Sequence, residues 1–417
     1  MRLYLAGALA LGVANYSAVS LGSPLPLPYT FQLEARASVG TGATTFNLPA
    51  GSAFSSATPD INNNRQVTFK VLTNGSTGFQ SIWYGSAANA GNLGTGGIVY
   101  APAQDVSLSD PALNNNNVTV FPQTFSSANG IYKYVAATNT TTLHTAGPLG
   151  ASSWANPRMN DAGQVGTRVS FASGQAYVSY DVNPASSAVH ATDVAAQPGS
   201  PYSFLSTSNF DNSRRIAGRV NVGATFSNTN PDEVRIFNPD GTSTLIANDK
   251  EANAASPFFQ FDNTQPGMND NGWVAFIART SSLASSRSVF LSNGTQTITI
   301  ATPGVGLTSI DNFSPAVNNS NQVVFRATDL SGNISVFIGD GTTLQRVIGI
   351  GNTLQTDIGP FAINSLGGNP TINDAGEIAF GGGLGAGGNF IAVALVPEPG
   401  TIALAAFFIG GLLARRR

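Results

Sequence analysis

No cysteine occurs in this chain, which excludes a disulfide framework and any thiolate metal site. Histidine is nearly missing too. His144 and His190 are the only two, and they are too far apart to share a ligand-like spacing. Charge is scarce: 10% of residues are Asp, Glu, Lys or Arg, against roughly 25% in ordinary soluble proteins. Lysine is reduced to Lys70, Lys133 and Lys250, and the net charge is −3, so no basic patch invites nucleic acid. The surface must be solvated largely by Asn, Ser, Thr, Gln and Gly. Long helix-forming stretches are few, while 46 glycines and 23 prolines punctuate the chain as turns do between strands.

What is present is a repeat. MNDNGWVAF (268–276) and INDAGEIAF (372–380) are the clearest copies. VNNSNQVVF (317–325) and INNNRQVTF (61–69) match closely, and MNDAGQVGT (159–167) keeps the turn without the final aromatic. FDNSRRIAG (210–218) and LNNNNVTVF (113–121) are degenerate. Seven copies start at 61, 113, 159, 210, 268, 317 and 372, at intervals of 52, 46, 51, 58, 49 and 55 residues. Each copy reads as strand, tight turn, strand. Asn and Asp tolerate left-handed geometry and bond their own backbone, and Gly accepts a positive φ. The turn residues are Asn62, Asn160, Asp161, Gly163, Asn269, Asp270, Gly272, Asn318, Asn373, Asp374 and Gly376, with Arg65, Asn117, Arg214 and Asn321 in the glycine's place elsewhere. A proline two residues before the motif (Pro59, Pro111, Pro157, Pro266, Pro315, Pro370) is expected to mark the start of the strand. A second hairpin follows downstream, turning at Asp240-Gly241, Asn293-Gly294 or Asp340-Gly341.

One repeat is therefore about four short strands in about 52 residues. Four antiparallel strands cannot bury both faces alone, and radial stacking solves that problem. The expectation is a seven-bladed β-propeller, with a β-solenoid as the alternative. The seventh copy runs out of chain after NFIAVALV (389–396), whereas YTFQLEARASV (29–39) precedes the first copy as an unassigned strand. That segment is expected to pair with 389–396 and close the ring.

The ends read as targeting. Residues 1–23 carry Arg2, an apolar run from Leu3 to Ala14 and then small residues, the pattern of a secretory signal peptide. PLPLP (24–28) is an extended spacer into a body spanning 24–396. Residues 397–417 read PEPGTIALAAFFIGGLLARRR. As a helix the apolar run 401–414 spans about 21 Å, short of the roughly 30 Å hydrocarbon core, and terminal arginines can snorkel to the interface.

The body's motif resembles the tandem NxxGxxAF repeat proteins of bacteria, over roughly residues 50–380; that family implies no single activity. The tail resembles the PEP-CTERM sorting signal of exopolysaccharide-producing Gram-negative bacteria. That resemblance implies recognition and cleavage by an exosortase. Pro397, Glu398 and Pro399 would be the recognised element, and the hydrophobic helix with Arg415, Arg416 and Arg417 would hold the chain in the membrane before processing. The destination implied is the cell surface or extracellular matrix, with extracellular polysaccharide as a partner.

Catalytic signatures are missing from the sequence. The Asn-Asp pairs could be calcium ligands, but each copy offers at most one acid and no EF-hand spacing exists, so turn chemistry is the simpler reading. Glycoside hydrolysis would need convergence among Asp60, Asp105, Asp110, Asp232, Glu233 and Asp311. No G-x-S-x-G occurs, and GGGLGAGG (381–388) lacks the lysine of a phosphate-binding loop and reads as a hairpin tip. Trp83, Tyr84, Trp154, Tyr202 and Trp273 are candidate sugar-stacking aromatics, of which Trp273 falls on a core-facing strand position. The expectation is a non-enzymatic, surface-sorted binding propeller without cofactor or metal, the alternative being a carbohydrate hydrolase or lyase on the same scaffold.

Overall fold

Alternating apolar residues after each turn form strands that bury one set of side chains against the neighbouring sheet. Val323, Phe325 and Ala327 are buried this way between two sheets, with Ala275, Ile277 and Leu291 facing them. The computed structural model describes residues 29–397 apart from short stretches at 39–43, 55–57, 74–78, 88–90, 103–105, 126–127, 149 and 184–185. It is a seven-bladed β-propeller. Each sheet is antiparallel, and in the first six blades strand order follows chain order from the axis outward. The third blade is representative: Ala151–Met159, Val165–Phe171, Gln175–Tyr180 and Ser187–Thr192. A small extra hairpin, Thr353–Thr356 with Gly359–Ala362, sits in the crossover between the sixth and seventh blades.

The ring closes as the spare N-terminal segment suggests. Thr30–Ala37 is the outer strand of the last blade, pairing antiparallel with Asn389–Leu395 from Thr30↔Leu395 to Ala37↔Asn389. Fully buried Arg36 secures it through a two-pronged ion pair to Asp357, at 2.6 and 2.8 Å, and a bond to the Gly387 carbonyl. Asn47 binds the Glu34 and Gly94 carbonyls and accepts the Trp83 indole N–H on its own carbonyl. Glu34 itself is buried without a polar partner, and burial pushes its carboxyl up to about 8.

Two local expectations change. In four blades the strand segment beside the turn does begin just after the proline, at Asp60–Ile61, Ala112–Leu113, Gly267–Met268 and Ala316–Val317, but Ala151–Met159 contains Pro157 and Ser365–Ile372 contains Pro370. The ladder skips there, between Ala155 and Arg158 and between Gly367 and Thr371, and it skips likewise between Leu205 and Ser208 of the fourth blade, where no proline stands. The glycine tract 381–388 is also only partly a tip, because Ile378–Gly383 is strand and Gly385–Gly387 a short 3-10 turn. Among the described residues no helix is long and apolar enough to cross a membrane. The signal-peptide reading (1–23) and the sorting-signal residues Glu398, Pro399, Arg415, Arg416 and Arg417, with their hydrophobic helix, lie outside the described residues; Pro397 is the last one described.

Candidate functional site

A propeller has two faces. Here one carries the turns between first and second strands, and with them both chain ends. Thr30 pairs with Leu395, and the Tyr29 hydroxyl donates to the Gly376 carbonyl in such a turn. The other carries the hairpins between second and third strands and the crossovers between blades. The predicted turn residues all fall on the first face, and they meet there.

The first turn residue is buried in every blade. Its Oδ1 accepts the backbone N–H four residues on, and in five blades also the one two residues on, as Asn318 does from Gln322 and Ser320. Its Nδ2 donates to the next blade's backbone: Asn62 to Asn114, Asn114 to Asn160, Asn160 to Asp211, Asn269 to Asn318, Asn318 to Asn373 and Asn373 back to Asn62, at 2.8–3.4 Å. Asp211 has no such donor. Arg215, ion-paired to Asp211 at 2.6 Å, donates instead to the Asp270 carbonyl, completing the circle.

The second turn residue forms a second closed circle. The backbone N–H of Asn63 donates to the Asn115 Oδ1, and the same bond runs through Asp161, Asn212, Asp270, Asn319 and Asp374 back to Asn63, all at 2.8–2.9 Å. The four asparagine Nδ2 groups donate to the outer oxygens of the three aspartates. The Asn-Asp pairs are thus turn and ring chemistry. Among the described residues no three His, Asp or Glu side chains gather as a metal site.

The fourth turn residue has φ between 59° and 83° in all seven blades, glycine or not. The four that are not glycine each reach the preceding blade. Arg65 pairs with Glu377 at 2.7 Å, Asn117 accepts from Asn62, Arg214 binds Ser179 and Asp181, and Asn321 accepts from Asn269. A left-handed L-residue costs roughly 1–2 kcal/mol, which these contacts offset.

The axial cavity is lined by the residues before the prolines, all polar: Thr58, Asp110, Asn156, Gln265, Ser314 and Asn369. They are chained by bonds from Gln265 N–H to Ser314, Ser314 N–H to Asn369 and Asn369 N–H to Thr58, and Thr58 donates to the Asp110 carboxylate from backbone and hydroxyl. Asn156 donates to the Gln265 side-chain oxygen at 2.7 Å, and Gln265 to the Ser208 carbonyl. Of the acids considered for hydrolysis, Asp60 and Asp110 share this cavity. Asp60 is bound by Arg158 at 2.7 Å and by the Leu113 N–H. Burial pushes the Asp110 carboxyl up, opposed by Lys70, the Thr58 donors and Arg158. Only about 50 Å³ is open to the centre of a water molecule, room for a few waters. Asp232 and Glu233, on Asp232–Phe237, and Asp311 lie off this cavity, each ion-paired to an arginine; Asp105 is outside the described residues.

The histidines are structural. His190 donates from Nδ1 to the Phe237 carbonyl and meets the Ser179 hydroxyl at Nε2, but Ser179 is fully buried and Arg214 also binds its oxygen. Burial pushes His190 and His144 down to about 4. Trp83, Trp154 and Trp273 are core, Tyr84 packs on Tyr134, and Tyr202 packs edge-on against Phe237. Among the described residues the large aromatics left exposed are phenylalanines on the crossover face, Phe125 and Phe226.

Sequence reasoning missed a set of cations nine residues after the motif's first residue. Lys70, Arg168, Arg219 and Arg326 each donate to the next blade's inner strand, at Leu108, Leu205, Asn263 and Gly368. Their common offset from 61, 159, 210 and 317 was the available signal. Eleven described arginines are in ion pairs, and the twelfth, Arg168, holds the Leu205 carbonyl. The described arginines are thus tied into the scaffold.

Residues 159–390 match a family model described as a family of unknown function (DUF7453). No curated protein matches the sequence. Among solved structures the chain is similar to the β-propeller domain of the Trilobed protease from Pyrococcus furiosus, described as having an open velcro topology: TM-score 0.54, 10% identity, covering 84% of this chain and 99% of that one. It is also similar to the Pyrococcus horikoshii acylaminoacyl peptidase, with TM-score 0.50 and 9% identity over 79% of this chain, and spans half of that one. Likeness at such identity shows the fold alone.

Proposed function

The chain belongs to the DUF7453 family, whose function is unknown, and from its site geometry we propose that it is an exported, surface-sorted binding propeller. On this reading an exosortase processes its C-terminus, and the propeller then binds extracellular polysaccharide or another envelope component without catalysing a reaction. One observation carries the proposal: both ends of the propeller leave side by side on the turn face, at Tyr29 and Val396, so the crossover face is free to meet a partner. An anchor following Val396 would hold the turn face toward the membrane. The test is fractionation of cells making the full chain or a chain ending at Val396. Retention of the full chain alone in the envelope supports sorting, and equal retention of both overturns it.

The hydrolase or lyase alternative rests on Asp60 and Asp110 sharing the axial cavity. Against it stand the Arg158 and Leu113 bonds that occupy Asp60, and a cavity far below the about 300 Å³ at which ligand pockets begin. Reducing-end release from matrix polysaccharide that disappears in Asp110→Asn would establish the alternative; no release from the wild type supports the binding reading.

A further inference from the structure

A cleft of about 420 Å³ opens on the crossover face between the fourth and fifth blades. Its upper wall is Phe226, 57% exposed at a hairpin tip and braced by Phe204 with ring centroids 5.4 Å apart. A phenylalanine held out in water by a second ring presents a fixed apolar plate. Exposed asparagines, Asn228, Asn263 and Asn312, line the same cleft with amide donors and acceptors.

Its floor holds three arginines against two aspartates, so the charges cancel to within one. Arg219 binds Asp232 at 2.8 Å and the Asn263 oxygen at 2.8 Å. Arg287 and Arg279 both pair with Asp262, and Arg279 also binds Gln260 at 2.7 Å. A carboxylate or phosphate is held best by a free two-donor guanidinium edge. Arg287 spends such an edge on Asp262 and Arg219 divides its donors between Asp232 and Asn263, while Arg279 bonds Gln260 and stands 3.8 Å from Asp262. What remains are single N–H donors, amides and carboxylate lone pairs, the complement of hydroxyl groups, which both donate and accept singly.

The geometry points to this cleft as a binding site for a neutral saccharide, its C–H face laid on Phe226 and its hydroxyls bonded to Asn263, Asn312 and the edges of the ion-paired groups. The inference rests on the polysaccharide-binding reading above and adds to it the place and the charge class of the glycan. An acidic sugar would have to compete with Asp232 and Asp262 for their arginines.

The test is calorimetric titration of the full chain in detergent with cellohexaose, maltohexaose and hexagalacturonate. Binding of a neutral hexamer that falls at least tenfold in Phe226→Ala, and less in Asn263→Ala, supports the assignment. Phe125→Ala, on the second blade of the same face, is the control and is expected to leave the affinity unchanged. Melting curves matching wild type establish that the variants fold. Neutral-glycan binding indifferent to Phe226→Ala overturns the cleft and leaves the polysaccharide reading standing. Preference for hexagalacturonate overturns the charge argument. Failure of the wild type to bind any of the three overturns the inference, and failure against the whole extracted matrix polysaccharide overturns the broader reading.

Discussion

The two faces of this disc are built by opposite rules. On the turn face the same residue does the same job seven times, and where one blade departs, as at Asp211, another residue such as Arg215 restores the missing bond. On the crossover face no such repetition holds. Phe125, Phe226, Leu283 and Leu330 sit exposed at hairpin tips of four blades, while Leu384 of the seventh is buried. Repetition marks the positions that hold blades together, and irregularity marks the face left free to specialise. That contrast is also why a search for conserved-looking pairs such as Asn-Asp finds scaffold.

The contrast can be broken at its strongest point first. Arg36→Met removes one partner of a buried ion pair at the ring closure, and is expected to cost about 3–5 kcal/mol and lower the unfolding midpoint in urea sharply. An unchanged midpoint would mean that the closing strand is held by backbone pairing alone. Asn318→Ala strips two acceptor bonds and two donor bonds from a buried turn, and should cost about 2–3 kcal/mol by the same measurement. A comparable loss from Phe125→Ala would dissolve the distinction between faces. Phe125 is 79% exposed, so within about 0.5 kcal/mol of wild type is the expected result.

Titration sharpens the contrast further. Glu34 binds its proton more tightly when folded, with its carboxyl raised to about 8, so the folded state holds the extra proton as pH climbs from the ordinary glutamate range. Its contribution is full below that range and is lost on the way to about pH 8. His144 and His190, lowered to about 4, act in reverse: their contribution is full above the ordinary histidine range and is lost as pH falls to about 4. Glu34→Gln should therefore flatten the alkaline limb of melting temperature against pH and leave the acid limb intact. Arg65→Gly sets two changes of opposite sign against each other, relieving left-handed strain and losing the Glu377 pair. A net change within about 1 kcal/mol is expected in urea unfolding.

Much of the architecture was legible because turns and alternation are local. Asn160-Asp161-x-Gly163 announces its own geometry, the spacing counts the blades, and the chain's shortage of a last strand points to the segment at 29–39. The left-handed residues were less legible. Arg65 and Arg214 do not look like turn residues, and only the neighbouring blade explains them. The axial ring was hidden for the same reason: Thr58, Asp110 and Asn369 share nothing but a following proline and polarity. The cleft was wholly illegible, since Phe226, Asn263 and Arg287 come from a hairpin tip, the break in an inner strand and the start of a third strand, which only the fold brings together.

The second turn circle has a further property that comes from counting. Its seven members include three acids, and no two are neighbours; on a circle of seven, three is the most that can be placed that way. Asn63, Asn115, Asn212 and Asn319 each border at least one of Asp161, Asp270 and Asp374. Deamidation of any of the four would put two carboxylates side by side and delete the amide donor between them. The circle is thus saturated with negative charge, and a single hydrolysed amide is the chemical ageing it has no room to absorb.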